Sequence, residues 1–302
     1  MSKWSECQRY LPHVLALNSR LRSSPSLVPD TRLAELFLYA GWYLYERRAP
    51  ELAIPLLSTA RCVYDEKEVK EDWFLWSRIL SAFGCVLFEC SRYKESESYF
   101  RQALMIRLEN VAADDILLAH GYQDTALPLS RQGRYLEAIE LQKKALDIIS
   151  RNSDNFTKRD MTFHVHHNMA RTYEASGFPE EGLRLHFHQG DEFGSGLRTE
   201  MSESGAVNLY AIGNCHLALG NREKGIQYHA RALKIRLSLV GNQGFHYGIS
   251  LHKMGCILQS DNQNRQSLEA FQSAANIFSQ AHEATRELSL TLYRLSLVER
   301  LI

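Results

Sequence analysis

The sequence predicts an all-α solenoid: about six helical hairpins stacked in line, with a capping helix at each end. Three observations carry this expectation. The pentapeptide ALMIR at Ala103–Arg107 returns as ALKIR at Ala232–Arg236, 129 residues on, and a near copy, ALDII, starts at Ala145. One unit of about 43 residues accounts for all three separations. Small residues fall in columns that keep the same phase. Between them, apolar residues recur at spacings of three and four, as one face of a helix requires.

The columns place each element. Counting from the anchor alanine of the cassette, small residues stand at Ala60, Ala103, Ala145, Ala232 and Ala274, and Gln189 takes the fourth slot. Nineteen residues upstream stand Gly41, Gly84, Ala126, Ala170, Gly213 and Gly255. Seven upstream stand Ala53, Ser96, Ala138, Gly182, Gly225 and Ser267. Seventeen of eighteen slots are small, so two helices of each unit must cross closely at these points. Bulk there would overpack the crossing.

Residues 1–30 form the first element. One period before Ala60 lands on Leu17, inside YLPHVLALNSRL, which reads as a lone second-type helix capping the first unit. Residues 31–282 hold the six units. In the second unit the first helix is expected near Trp73–Cys90 and the second near Tyr93–Glu109. The hairpin turns are short and polar (CSRYKES, RQGRYLE, ALGNREK, QSDNQNR), with Gly133 and Gly220 suited to end a helix. Residues 283–302 supply the terminal cap, a helix over Thr285–Leu301. Such caps shield the last apolar surface of a repeat array. The whole chain, 1–302, is expected to be one solenoid domain.

Composition narrows the function classes. The 302 residues are 45% hydrophobic, and 35 Lys+Arg balance 35 Asp+Glu. A nucleic-acid or membrane binder usually shows a basic excess, so neither partner is expected. The six cysteines form no CxxC pair, and four sit in apolar helical patterns, where thiols behave as small hydrophobes. The opening MSKWSECQRY has no apolar signal-peptide core, and no run reaches the ~18 residues of a membrane span. A soluble, cytoplasmic protein is the expectation.

The three columns are spaced as positions 8, 20 and 27 of the tetratricopeptide repeat (TPR), which the chain resembles over about residues 31–282. Tyr173 matches one of that family's larger residues; its Trp and Pro are mostly missing. The unit exceeds the ~34-residue TPR by roughly nine residues, which resembles the kinesin-light-chain type; Ala232–Gly255 is the most similar stretch. The opening WSECQRYLPHVLAL with AGWYLYERRAPELAIPLL is similar to the lead into C-terminal TPR arrays of fungal NACHT/NB-ARC signalling proteins, although no GxxxxGK[ST] is present. The resemblance implies a right-handed α-α superhelix, with the first helix of every unit lining a concave groove.

Projected onto the units, that groove holds Trp42, Tyr45, Arg78, Glu89, His120, Gln123, His164, His167, Arg171, Tyr210, Asn214 and His252. His, Arg, Asn and Tyr dominate its middle, and these types hydrogen-bond and pair with carboxylates. A protein-interaction module follows, with a scaffold or sensor role and an acidic or amide-bearing peptide segment as partner. Trp42 and Tyr45 could receive an apolar anchor. The alternative is a solenoid enzyme of fungal specialised metabolism, with His164, His167, Arg171 and Tyr210 around a small molecule. No GxSxG or Rossmann glycine pattern supports catalysis. A metal reading of His164, His166 and His167 with His186 and His188 lacks an HExxH-type motif, and His166 points away from its neighbours. Neither metal nor cofactor is therefore expected, and the sequence sets no oligomeric state. His186–Ser204 departs most from the repeat. It reads as a degenerate unit with a loop, or as a lid over the groove.

Overall fold

The computed structural model of the chain describes residues 2–23, 30–64, 72–151, 154–192, 201–280 and 285–302. Among them, regular structure is helical throughout. The helices are α1 (Ser2–Arg22), α2 (Thr31–Glu46), α3 (Pro50–Cys62), α4 (Trp73–Glu89), α5 (Tyr93–Asn110), α6 (Ile116–Arg131) and α7 (Tyr135–Arg151). There follow α8 (Asn155–Ala175), α9 (Pro179–Glu192), α10 (Glu203–Ala218), α11 (Arg222–Val240), α12 (Phe245–Ser260), α13 (Asn264–Gln280) and α14 (Thr285–Glu299). The expected second unit is met within a residue at each end. Contacts gather into two compact units, Met1–Val165 and His166–Ile302.

Each hairpin is made the same way. Four of the first helices open on a side chain that accepts from free backbone amides: Asp30 for α2, Asp72 for α4, Asp115 for α6 and Ser202 for α10. Such caps satisfy donors that a helix start leaves orphaned. The turns then reverse on one residue in the left-handed region, six times in phase: Arg48, Ser91, Gly133, Gly177, Gly220 and Asn262. After each, the next amide donates to the carbonyl five residues back, as Arg92 to Leu87, Arg134 to Leu129 and Gln263 to Leu258. This is the Schellman closure. Glycine fills only three of these positions, so the sequence signal of Gly133 and Gly220 had equivalents hidden under Arg48, Ser91 and Asn262.

The small columns lie where the helices cross. Every anchor alanine is buried, and so are all six residues of the upstream glycine/alanine column. The approach is close. A Cβ on Gly84 would stand 2.5 Å from the Phe100 ring, one on Gly255 2.8 Å from Phe271, and one on Gly41 2.8 Å from Leu57. The second small column adds a polar clasp in two hairpins: Ser96 Oγ donates to the Gly84 carbonyl and Ser267 Oγ to that of Gly255, both at 2.8 Å.

In the first unit, α1 packs on α3 and α2, and Asn18 accepts from the Thr59 hydroxyl at 2.5 Å. The core of this unit runs from Ala34, Phe37 and Leu38 through Leu56 and Leu57 to Ile79 and Val86. In the second unit, α14 packs on α13 and α12, with Leu288 against Ile277 and Phe278 and Val298 fully buried. No helix among the described residues is long and apolar enough to cross a membrane.

Candidate functional site

The residue three before the anchor packs onto the glycine of the facing helix in four hairpins, Leu57 on Gly41, Phe100 on Gly84, His229 on Gly213 and Phe271 on Gly255. This slot holds Leu57, Phe100 and Phe271 in three hairpins, but Gln142, His186 and His229 in the three between. All three polar residues are buried, Gln142 and His186 completely. Gln142 has no hydrogen-bond partner for its amide, nor His229 for either ring nitrogen. Burying such groups costs free energy unless they are bonded. Burial, with Lys253 and Arg236 nearby, pushes His229 down to about 3, so its ring is neutral. This polar seam was legible as a column but was not among the expected site residues.

The cassette arginines were missed as well. Arg107 and Arg236 are both nearly fully buried. Arg107 donates to the Leu117 carbonyl (3.5 Å) and Ser81 Oγ (2.7 Å). Arg236 donates to the His246 carbonyl (3.2 Å) and Ser250 Oγ (2.7 Å), lies 3.5 Å from Glu203 Oε1, and rests over the Tyr210 ring at 5.2 Å. The two carbonyls are 129 residues apart, like the arginines. The recurring Arg therefore ties a second helix to the first helix of the following hairpin.

Of the expected groove residues in the first unit, Trp42 is exposed, donates its indole N–H to Glu46 at 2.9 Å, and sits 5.0 Å from Tyr45. Tyr45 is half-buried, and burial with Cys85, Glu89 and Asp124 around it raises its phenol well above the usual range. Glu89 is exposed, whereas Gln123 is buried with its amide unpartnered. Asp124, beside Arg107, is held up to about 6 by burial. His120 is exposed, yet desolvation by the atoms around it and the charge of Arg107 hold it below the usual imidazole range. Arg78 covers Tyr39 (5.1 Å) and Phe74 (5.7 Å) and lines a cleft of about 270 Å³ with Glu35 and Asp72. A second cleft of about 500 Å³, between Arg61, Trp76, Glu95 and Tyr99, lies outside the expected set. His164 is exposed, 3.8 Å from Asp160.

In the second unit, His167, Tyr210 and His252 occupy the same register on α8, α10 and α12, each three residues before the column of Ala170, Gly213 and Gly255. All three are half-buried. Tyr210 meets His229 edge-on at 4.8 Å; His252 pairs with Thr291 Oγ1 at 2.8 Å. Arg171 is exposed and Asn214 half-exposed one step further along α8 and α10. His167 stands 5.5 Å from the His186 ring. His186 itself meets Glu174 and Cys215. The His188 side chain and residues 193–200 of the suggested lid lie outside the described residues.

Residues 205–298, which span α10 to α14, match the family model described as tetratricopeptide repeat. Over this segment the chain carries tetratricopeptide repeats. Its fold is similar to NprR solved with its cognate peptide NprX (16% identity, TM-score 0.64, 96% of this chain and 82% of that one). It is similar also to the apo form of RapI (15%, 0.61, 89% and 97%). A third likeness is a putative kinesin light chain with nearly identical TPR-like repeats from Podosopora anserina (15%, 0.55, 70% and 97%). At these identities the likeness is one of fold. A comparison with curated proteins returns no match.

Proposed function

We propose that this TPR chain is a protein-interaction module that holds an acidic peptide segment of a partner on the first helices of the second unit. The observation that carries this reading is the charge around one register. The charges of Arg171 and Arg236 act on Tyr210, while those of Lys253 and Arg294 act on His252. Tyr210 and His252 thus stand among four cations, and Glu174 and Glu203 are the carboxylates that act on the same groups. Asn214 can bond backbone amides of an extended chain, and Arg171 its carboxylates. NprR, with a similar fold, was solved with a cognate peptide, which supports a segment rather than a small molecule as occupant.

The test is fluorescence anisotropy with labelled peptides of matched length and graded charge. The acidic set binds and weakens as salt rises. Changing His167, Arg171 and Asn214 together to Ala abolishes binding while helicity stays intact. Equal binding by that triple variant, or preference for basic peptides, overturns the reading.

A further inference from the structure

Glu174, His186 and Cys215 come from three different helices, α8, α9 and α10, and their ligand atoms all lie within 4.8 Å of one another. Cys215 Sγ is 3.1 Å from Glu174 Oε1, and His186 Nε2 is 3.4 Å from the same oxygen. The far side of the imidazole fixes its tautomer. The Asn208 amide donates to the His186 carbonyl at 3.2 Å, which turns Asn208 Oδ1 toward His186 Nδ1 at 2.8 Å. Nδ1 therefore carries the hydrogen. On a neutral ring Nε2 then presents a lone pair to a carboxylate oxygen, and it has no hydrogen-bond partner although the side chain is fully buried. A lone pair, a carboxylate and a sulfur facing one point call for a cation between them.

We propose that Glu174, His186 and Cys215 bind a zinc-class divalent ion, with one coordination position left open. The donor set is one nitrogen, one sulfur and one oxygen, which suits Zn²⁺ or Co²⁺ and not Mg²⁺ or Ca²⁺. Zinc bonds of their usual length, set tetrahedrally, place ligand atoms about 3.3–3.7 Å apart. The His186–Glu174 separation of 3.4 Å falls inside that range, and the Cys215–Glu174 separation of 3.1 Å lies a few tenths of an ångström below it. The Nδ1–Asn208 bond is the outer support that metal-bound histidines require. Gly182 leaves room for the site, since a Cβ there would lie 3.1 Å from Glu174 Cγ and 3.5 Å from Cys215 Sγ. Glu174 is one-fifth exposed, which gives the ion an entry path and the open position a route to solvent. On binding, the ion takes the place of the thiol proton, which is released to solvent, so affinity rises with pH.

The experiment is a Zn²⁺ titration of the full chain against a chromophoric chelator, repeated with Co²⁺ to read the thiolate-to-metal absorption. Cys7 and Cys62 are exposed, so both are first replaced by Ser. The expected result is one ion per chain, with a near-ultraviolet Co²⁺ band that persists in Cys256→Ser and disappears in Cys215→Ser. Asn208→Leu, which leaves all three ligands in place, weakens binding by about 10–100-fold. Glu174→Gln weakens it as well, and circular dichroism confirms that the variants remain helical. Binding below one ion per chain, or equal binding by Cys215→Ser and Glu174→Gln, overturns the site.

Discussion

Replacing Gly84 by Ala tests the close crossing of helices on which the repeat depends. The new methyl carbon would lie 2.5, 2.6 and 2.8 Å from three ring carbons of Phe100. Comfortable carbon contacts begin near ~3.5 Å, so the ring must retreat by about 1 Å. Phe100 is only 1% exposed, and Ser96 clasps the Gly84 carbonyl beside it. Overpacking of this kind costs about 1–3 kcal/mol. Ala for Gly inside a helix returns about 1 kcal/mol. The net expectation is a loss of about 0–2 kcal/mol, rising for Gly84→Leu. Urea unfolding followed by circular dichroism reads the change. Phe100→Leu removes the ring, so in the double variant the methyl group finds space, and the cycle should show about 1 kcal/mol of coupling. A Gly84→Ala variant more stable than the parent, or strict additivity with Phe100→Leu, would refute the packing account.

Arg48 holds a left-handed turn without being glycine, so Arg48→Gly should raise stability by about 1 kcal/mol in the same unfolding assay. Arg236→Met removes the bonds to the His246 carbonyl and the Ser250 hydroxyl, with an expected loss of about 1–3 kcal/mol; Arg236→Lys should not restore it, because the ammonium lacks the fork. His229 carries a pH signature. Its folded pKa, about 3, lies below the 6.5 of the open chain, so the unfolded state takes up the proton first. Its contribution to stability is therefore whole above 6.5 and is lost as pH falls toward 3. By pH 5 the loss reaches about 2 kcal/mol. His229→Phe, which copies Phe100 and Phe271, should widen its advantage over the parent by that amount between pH 8 and pH 5 in thermal melts.

The backbone plan was legible because it rests on residues that sequence displays directly. Small side chains at fixed spacing have one physical use, and Gly84, Ala138 and Ala232 serve it where expected. The turns at Arg48, Ser91 and Asn262 were harder to see, since tertiary contacts and the Schellman bonds impose a conformation that those residues do not announce. Site chemistry was legible only in part. His167, Tyr210 and His252 could be aligned from the period alone. The meeting of Glu174, His186 and Cys215 could not, because it joins three helices through side-chain directions that no spacing records. Yet one signal was available: the slot that holds Leu57, Phe100 and Phe271 holds Gln142, His186 and His229 elsewhere, and polar residues in an apolar column mark a buried position with a task.

The central functional claim is that the first helices of the second unit, α8, α10 and α12, hold the partner segment. Hydrogen exchange with an acidic peptide bound tests it most directly. Protection should rise along 166–175, 203–218 and 245–260 and leave α11 and α13 unchanged. Protection confined to α11 and α13, or no change with any acidic peptide at saturating concentration, would contradict it.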